Sequence, residues 1–201
     1  MLDGLRHTTR TSGGPPPTPS STLPFALLSQ VVLLLGLCLF FRGREQRLYD
    51  LAHRDPLTLL GNRRALNRDL TCRLRVRPGS LLALIDIDGL KRVNDALGHA
   101  AGDDLLRTFA QELAQALAPR GRVYRLSGDE FAVLLNRSEP ETLVQIVAAV
   151  TRQVQEVYPG VGASVGTAGR NQGEAPGDWL ARADQAMYRC KRRTHARRGQ
   201  T

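Results

Sequence analysis

Lysine is nearly missing from this 201-residue chain: of its 28 basic residues, only Lys91 and Lys191 are lysines. Arginine is the default cation. A retained lysine is then either drift or a position that needs a compact point charge rather than a planar fork. Cysteine is scarce too, and Cys38, Cys72 and Cys190 lie far apart. That excludes a disulfide scaffold and a paired-cysteine zinc site. His7, His53, His99 and His195 show no metal-ligand spacing. Aromatic residues are only 5%, so any core rests on Leu, Val, Ile and Ala. No repeat of solenoid period is present. What remains is 42% hydrophobic and 23% charged residues, a composition that suits a globular protein and argues against wholesale disorder. The net charge of +9 favours an anionic partner: a nucleotide phosphate, a lipid headgroup or nucleic acid. The basic run 189–198, RCKRRTHARR, has no interleaved aromatics and no docking motif, so no nucleic acid is expected.

The organisation is legible from composition. Residues 1–22 are rich in Pro, Gly, Ser and Thr and read as a disordered leader. Residues 23–41, LPFALLSQVVLLLGLCLFF, carry no charge. At helical rise they reach about 28 Å, close to the hydrocarbon thickness of a bilayer. A signal peptide would have a shorter apolar region and small residues at a cleavage site, whereas RGREQR follows directly. A single transmembrane helix is the expectation. Arg42, Arg44, Arg47 and Arg54 follow it and Arg6 and Arg10 precede it, which puts the C-terminal part in the cytoplasm, at the inner membrane. Residues 42–54 read as a linker helix whose Leu48, Leu51 and Ala52 form a stripe able to pair with a second copy. The folded domain is expected over 55–195, and 196–201 is a basic tail. Neither leader nor linker is long enough to fold as a sensor.

Within the domain, helical and strand patterns alternate. Helices are expected over 62–76, 89–97, 103–117, 139–157 and 178–193, the last with Asp178 as N-cap. LLALIDID, 81–88, is a buried strand, RVYRLSGDEFAVLL, 122–135, a hairpin, and VGASVGTAG, 161–169, a small-residue strand. Two acidic clusters stand out, Asp86-Ile87-Asp88 at a strand end and Asp129-Glu130 in the hairpin turn. Acids commonly end strands and make turns. Two carboxylates from different strands can also hold Mg²⁺ while leaving room for water and phosphates, and Lys91 lies just beyond the first cluster.

RLSGDEFAVLL, 125–135, resembles the signature of the GGDEF family of diguanylate cyclases, with serine in place of the first glycine. Four further blocks resemble the family in order: DPLTLLGNRR (55–64), DIDGLKRVNDALGHAAGDDLL (86–106), ASVGTA (163–168) and ADQAMYRCK (183–191). The resemblance implies an α+β fold, a central, mostly antiparallel five-stranded sheet flanked by helices, like the palm of polymerases and the nucleotide cyclases. It implies that two GTP molecules become cyclic di-GMP and two pyrophosphates across a homodimer, each copy holding one GTP. Carried over by position, Asp86 and Asp129 bind Mg²⁺ (or Mn²⁺) through their carboxylates and Ile87 through its carbonyl. Asp129 helps deprotonate the 3′-hydroxyl and Glu130 supports the metal region. Asn94 and Asp103 read the guanine edge with His99 between them, and Lys91 and Lys191 hold phosphates. Asp88, Asp95, Asp104 and Asp184 fit structural roles, capping helices or pairing with arginines.

Departures from the family pattern bear on activity. Ser127 costs on the order of 1 kcal/mol if that position needs φ > 0. Leu59 replaces a glycine of the opening block and Leu90 a phenylalanine. Thr194 and His195 stand where Gly-Arg is usual, and a neutral imidazole clasps a phosphate less firmly than a guanidinium. An R-x-x-D product-binding site common in the family is represented by Ala118 and Gly121. The sequence thus supports a membrane-anchored diguanylate cyclase, with a catalytically inactive domain that binds GTP or a partner protein as the alternative, favoured by Ser127 and His195.

Overall fold

A computed structural model describes residues 23–72, 76–136 and 139–198. The expected leader, 1–22, and the end of the basic tail, 199–201, lie outside the described residues. Two compact units divide the chain, one ending at Gln46 and one beginning at Arg47. The first contains most of helix α1, Leu23–His53. Leu28, Val32, Leu35 and Leu39 on this helix are all exposed. By length and composition its Leu27–His53 stretch, with mean hydropathy 1.6, can cross a membrane.

The second unit is built on one antiparallel sheet. Its strands are β1 (Ser80–Asp88), β2 (Gly121–Ser127), β3 (Glu130–Asn136) and β4 (Gly162–Gly169), in the spatial order β2-β3-β1-β4. Among the described residues it also holds the end of α1 and the helices α2 (Arg63–Thr71), α3 (Leu90–Leu97), α4 (His99–Leu117), α5 (Pro140–Val157) and α6 (Pro176–Arg198). Strand β1 reads as an unbroken apolar run because both of its faces are covered. Ile85 and Ile87 join Phe131 and Val133 against Phe109 and Leu113 of α4 and Leu143 and Val147 of α5. Leu82 and Leu84 join Ala132 and Leu134 against Leu66 of α2 and Trp179 and Met187 of α6. The large buried side chains of α4, Leu105, Leu106, Phe109, Leu113 and Leu117, fall on the helical period.

The sheet has four strands among the described residues, not the five that the family resemblance implied. Strand β4 forms one edge of the described sheet and is followed by α6, which runs to Arg198, the last described residue, so no described segment follows the helix to pair with that edge. Asp178 also differs from expectation. It lies in the first turn of α6 rather than at its cap, because Pro176 opens the helix and the Ala175 carbonyl accepts the Trp179 N–H.

Two contacts fix α6 over the sheet. The Trp179 indole N–H donates to the Ala168 carbonyl at 2.8 Å. At Gly166 a Cβ would run into the backbone of Met187 and Ala183, so only glycine lets the helix lie this close to β4. This packing carries Lys191, further along α6, to the end of β1.

Candidate active site at the end of the sheet

The site grows from the carboxyl end of β1. Asp86 is 5% exposed there, and a carboxylate so deep needs a cation. Lys191 supplies it, its Nζ donating to both Asp86 oxygens at 2.8 Å. Those hydrogen bonds raise the Lys191 pKa above the ordinary lysine value, so the ammonium stays charged. The next residue, Ile87, turns its side chain into the core, while its N–H donates to the Asp129 carbonyl at 3.1 Å. That bond draws the β2–β3 turn against β1. Burial pushes the Asp129 carboxyl above the ordinary aspartate range, the charges of Asp86 and Glu130 add to the rise, and Lys191 opposes it. Glu130 begins β3 and pairs across the ladder with Asp86. Asp86, Asp129, Glu130 and Lys191 are therefore brought together.

Among the described residues no cluster of three His, Cys, Asp or Glu forms a ready-made metal cage. Magnesium does not require one. It keeps several waters and takes one or two carboxylates plus substrate phosphates. Two electrostatically coupled carboxylates with oxygen-only donors, balanced by one lysine, fit that pattern.

The second half of the site lies beyond β1. Gly89, at φ 95°, turns the chain into α3, placing Lys91 in the first turn, exposed beside an open cleft with Arg92 and Asp95. Asn94 packs against α4 at Gly102, where a Cβ would strike its side-chain oxygen. That oxygen, Oδ1, is buried without a hydrogen-bond partner among the described residues. A buried acceptor left unpaired costs stability, and a ligand donor is the natural remedy. His99 and Asp103 lie one helical turn apart at the start of α4, with Arg107 Nη2 3.9 Å from Asp103.

Other expectations resolve differently. Ser127 has no positive φ: the left-handed residue of the turn is Gly128, at φ 36°, so the anticipated strain is absent. Leu59 bears it instead, at φ 60°. Asp88 accepts from the Ser164 hydroxyl at 3.1 Å and Asp104 from Arg107 at 2.6 Å, both structural roles. Thr194 donates to the Cys190 carbonyl, and the His195 side chain lies outside the described residues.

Sequence reasoning missed two arginines. Arg125 donates to the Gly128 carbonyl through Nε and Nη2, at 3.0 and 2.8 Å, and to Asp55 at 3.1 Å, clamping the hairpin turn to the start of the domain. Arg63 reaches Glu130 Oε2 at 3.4 Å. Both had a signal, since they lie inside the resembling blocks, but their partners are some 70 residues away.

The profile of the family described as "Diguanylate cyclase, GGDEF domain" matches residues 52–197. The uncharacterised protein Rv1354c of Mycobacterium tuberculosis is 40% identical over 157 residues, 73% of this chain and 25% of that protein. Diguanylate cyclase DgcP of Pseudomonas aeruginosa is 39% identical over 149 residues, 69% of this chain and 22% of DgcP. The match thus spans about a quarter of these relatives' length. The crystal structure of the coiled coil and GGDEF domain of DgcB from Caulobacter crescentus, in complex with c-di-GMP, superposes with a TM-score of 0.68 at 26% identity, covering 86% of this chain and 95% of that one.

Proposed function

Because the chain belongs to the GGDEF family of diguanylate cyclases, and its function is thereby tied to cyclic di-GMP, we propose that it condenses two GTP molecules into cyclic di-3′,5′-GMP and two pyrophosphates. The observation that carries this reading is the junction of Asp86, Asp129, Glu130 and Lys191 at one end of the sheet. The unpaired Asn94 acceptor supports it as a base-reading group. In this reading Asn94, His99 and Asp103 line the guanine and Lys91 and Lys191 take phosphates. Bound at Asp86, Asp129 and the Ile87 carbonyl, Mg²⁺ or Mn²⁺ supplies neutralisation of phosphate charge. Asp129, with its raised pKa, is the group suited to accept the 3′-hydroxyl proton. The 3′-oxygen of one nucleotide bonds to the α-phosphorus of the other, and the α–β phosphoanhydride bond breaks to release pyrophosphate. The reciprocal step closes the ring. Two copies are needed, since each holds one nucleotide.

In the same reading residues 23–41 anchor the chain in the inner membrane with the domain in the cytoplasm, on the arginine asymmetry around the span. The test is product formation from GTP and Mg²⁺ by the full chain in detergent micelles, followed by mass spectrometry. Cyclic di-GMP is expected from the wild type, with turnover reduced roughly 100-fold or more in Asp129→Asn and Asp86→Asn. GTP binding without product in the wild type would assign the chain to the non-catalytic alternative.

A further inference from the structure

Helix α6 does more than carry Lys191 to the site. Gly177, Leu180, Ala181, Asp184 and Met187 lie at i, i+3, i+4, i+7 and i+10, which puts them on one face of the helix. That face lines a cavity of about 280 Å³. Leu84 of β1 and Leu126 of β2 line it from the sheet, and Arg63 from the first turn of α2. Gly177 and Ala181 leave the room, because α6 offers only a hydrogen and a methyl group there. Glu130 lines the same cavity and pairs across the ladder with Asp86, so the space adjoins the acidic end of the sheet.

The charged lining is two carboxylates, Glu130 and Asp184, against one guanidinium, Arg63. Glu130 already accepts from the Ser127 hydroxyl at 2.8 Å and from Arg63 at 3.4 Å. Asp184, expected to cap a helix or pair with an arginine, does neither. It lies well inside α6 and forms no hydrogen bond or ion pair among the described residues. A ligand with an apolar body against Leu84, Leu126 and Met187 strips water from one side of that carboxylate, and a cationic donor offsets the loss. We propose that this cavity binds a small primary amine, its ammonium on Asp184 and its aromatic or aliphatic body on Met187 and the two leucines. The volume lies at the lower end of small-molecule sites and suits about ten non-hydrogen atoms. An anionic ligand would meet like charge from Asp184 and Glu130. Amine binding does not rest on the cyclase reading.

Methionine supplies the probe, since the chain has only Met1 and Met187 and the second lines the cavity. The full chain in detergent micelles, labelled with ¹³C-methyl methionine, is titrated with 2-phenylethylamine and followed by NMR. The Met187 methyl signal is expected to shift and saturate, with half-saturation on the order of millimolar. 2-Phenylethanol keeps the body, loses the charge and needs roughly two- to fivefold more, and phenylacetate more still. Asp184→Asn raises the half-saturating amine concentration roughly two- to fivefold and leaves that of the alcohol within about twofold. Ala181→Phe, at an exposed position of α6, fills the cavity and abolishes the saturable shift. No saturable shift with the amine, phenylacetate bound as tightly as the amine, unchanged amine affinity in Asp184→Asn, or unimpaired binding in Ala181→Phe overturns the proposal. The expected binding pattern in a chain that makes no cyclic di-GMP rejects the cyclase reading alone and leaves the amine site standing.

Discussion

Leu59 carries the left-handed backbone that its position in the opening block demands, φ 60°, and it does so with a side chain that is 66% exposed. Its N–H donates to the Asp55 carbonyl, and the Asp55 N–H returns to Leu60, so the turn is closed tightly. An L-residue in this region costs about 1–2 kcal/mol, and the exposed side chain returns little by packing. Leu59→Gly is expected to stabilise the fold by about 0.5–1 kcal/mol after glycine's own entropic cost, read as a higher thermal midpoint. A lower midpoint would mean that the Leu59 side chain is engaged. Asp129 makes the complementary case. Its folded-state pKa lies above the unfolded one, so the folded state holds the proton more tightly. The charged carboxylate therefore weakens the fold above that raised pKa. The penalty shrinks as pH falls through the raised value toward the ordinary one, and below both it is gone. Asp129→Asn is expected to have a higher unfolding midpoint than wild type at pH 7, a gain that disappears in acid. Equal midpoints at pH 7 would show that the site imposes no such cost.

At the scale of elements, much was legible. An unbroken apolar run ending in acids placed β1 to within a residue, because a strand covered on both faces needs no polar alternation. The β2–β3 hairpin was legible from two β-rich runs around Gly128. The strand count was not, because the fifth strand came from family resemblance and from no run of residues in this chain, whose own patterns mark the four strands found. Also hidden were Arg63 on Glu130, Arg125 on Asp55 and the orphan oxygen of Asn94, since each depends on elements meeting in space. The α4–β2 corner shows why such contacts matter. Ala118 caps α4, and Gly121 opens β2 where a Cβ would press on Leu135, so the corner offers neither arginine nor carboxylate at these positions. Of the nearby arginines, Arg122 donates to buried Asp69 at 3.2 Å and Arg125 serves the hairpin clamp. Tight capture of a cyclic dinucleotide needs a guanidinium and a carboxylate together. Initial rates are therefore expected to be unchanged by micromolar cyclic di-GMP. Strong non-competitive inhibition, lost on changing Arg122, would reveal a rearranged site.

For the whole molecule, the decisive quantity is how often two domains meet. In the proposed reaction one domain offers one set of base-reading and phosphate-holding residues, and a two-nucleotide ring cannot close on one α-phosphate acceptor. In solution, pairing depends on bulk concentration. Two copies confined to one small patch of bilayer meet at an effective concentration on the order of millimolar. If the apolar helix within Leu23–His53 anchors the chain as proposed, it bears on turnover as well as on location, because anchoring replaces an unfavourable bimolecular step with a local one. In the proposed orientation, Arg42, Arg44 and Arg47 just after the span meet a surface of anionic headgroups, and the domains of two copies emerge on the same side. The prediction concerns copy number. Nanodiscs assembled with a single copy are expected to show at most a few per cent of the specific activity of discs holding two, on the order of the ratio set by effective concentration. Adding more single-copy discs at fixed GTP raises specific activity only as discs begin to pair. Single-copy discs as active per chain as two-copy discs, independent of dilution, would mean that one domain completes both phosphoryl transfers, and the homodimer would have no chemical role.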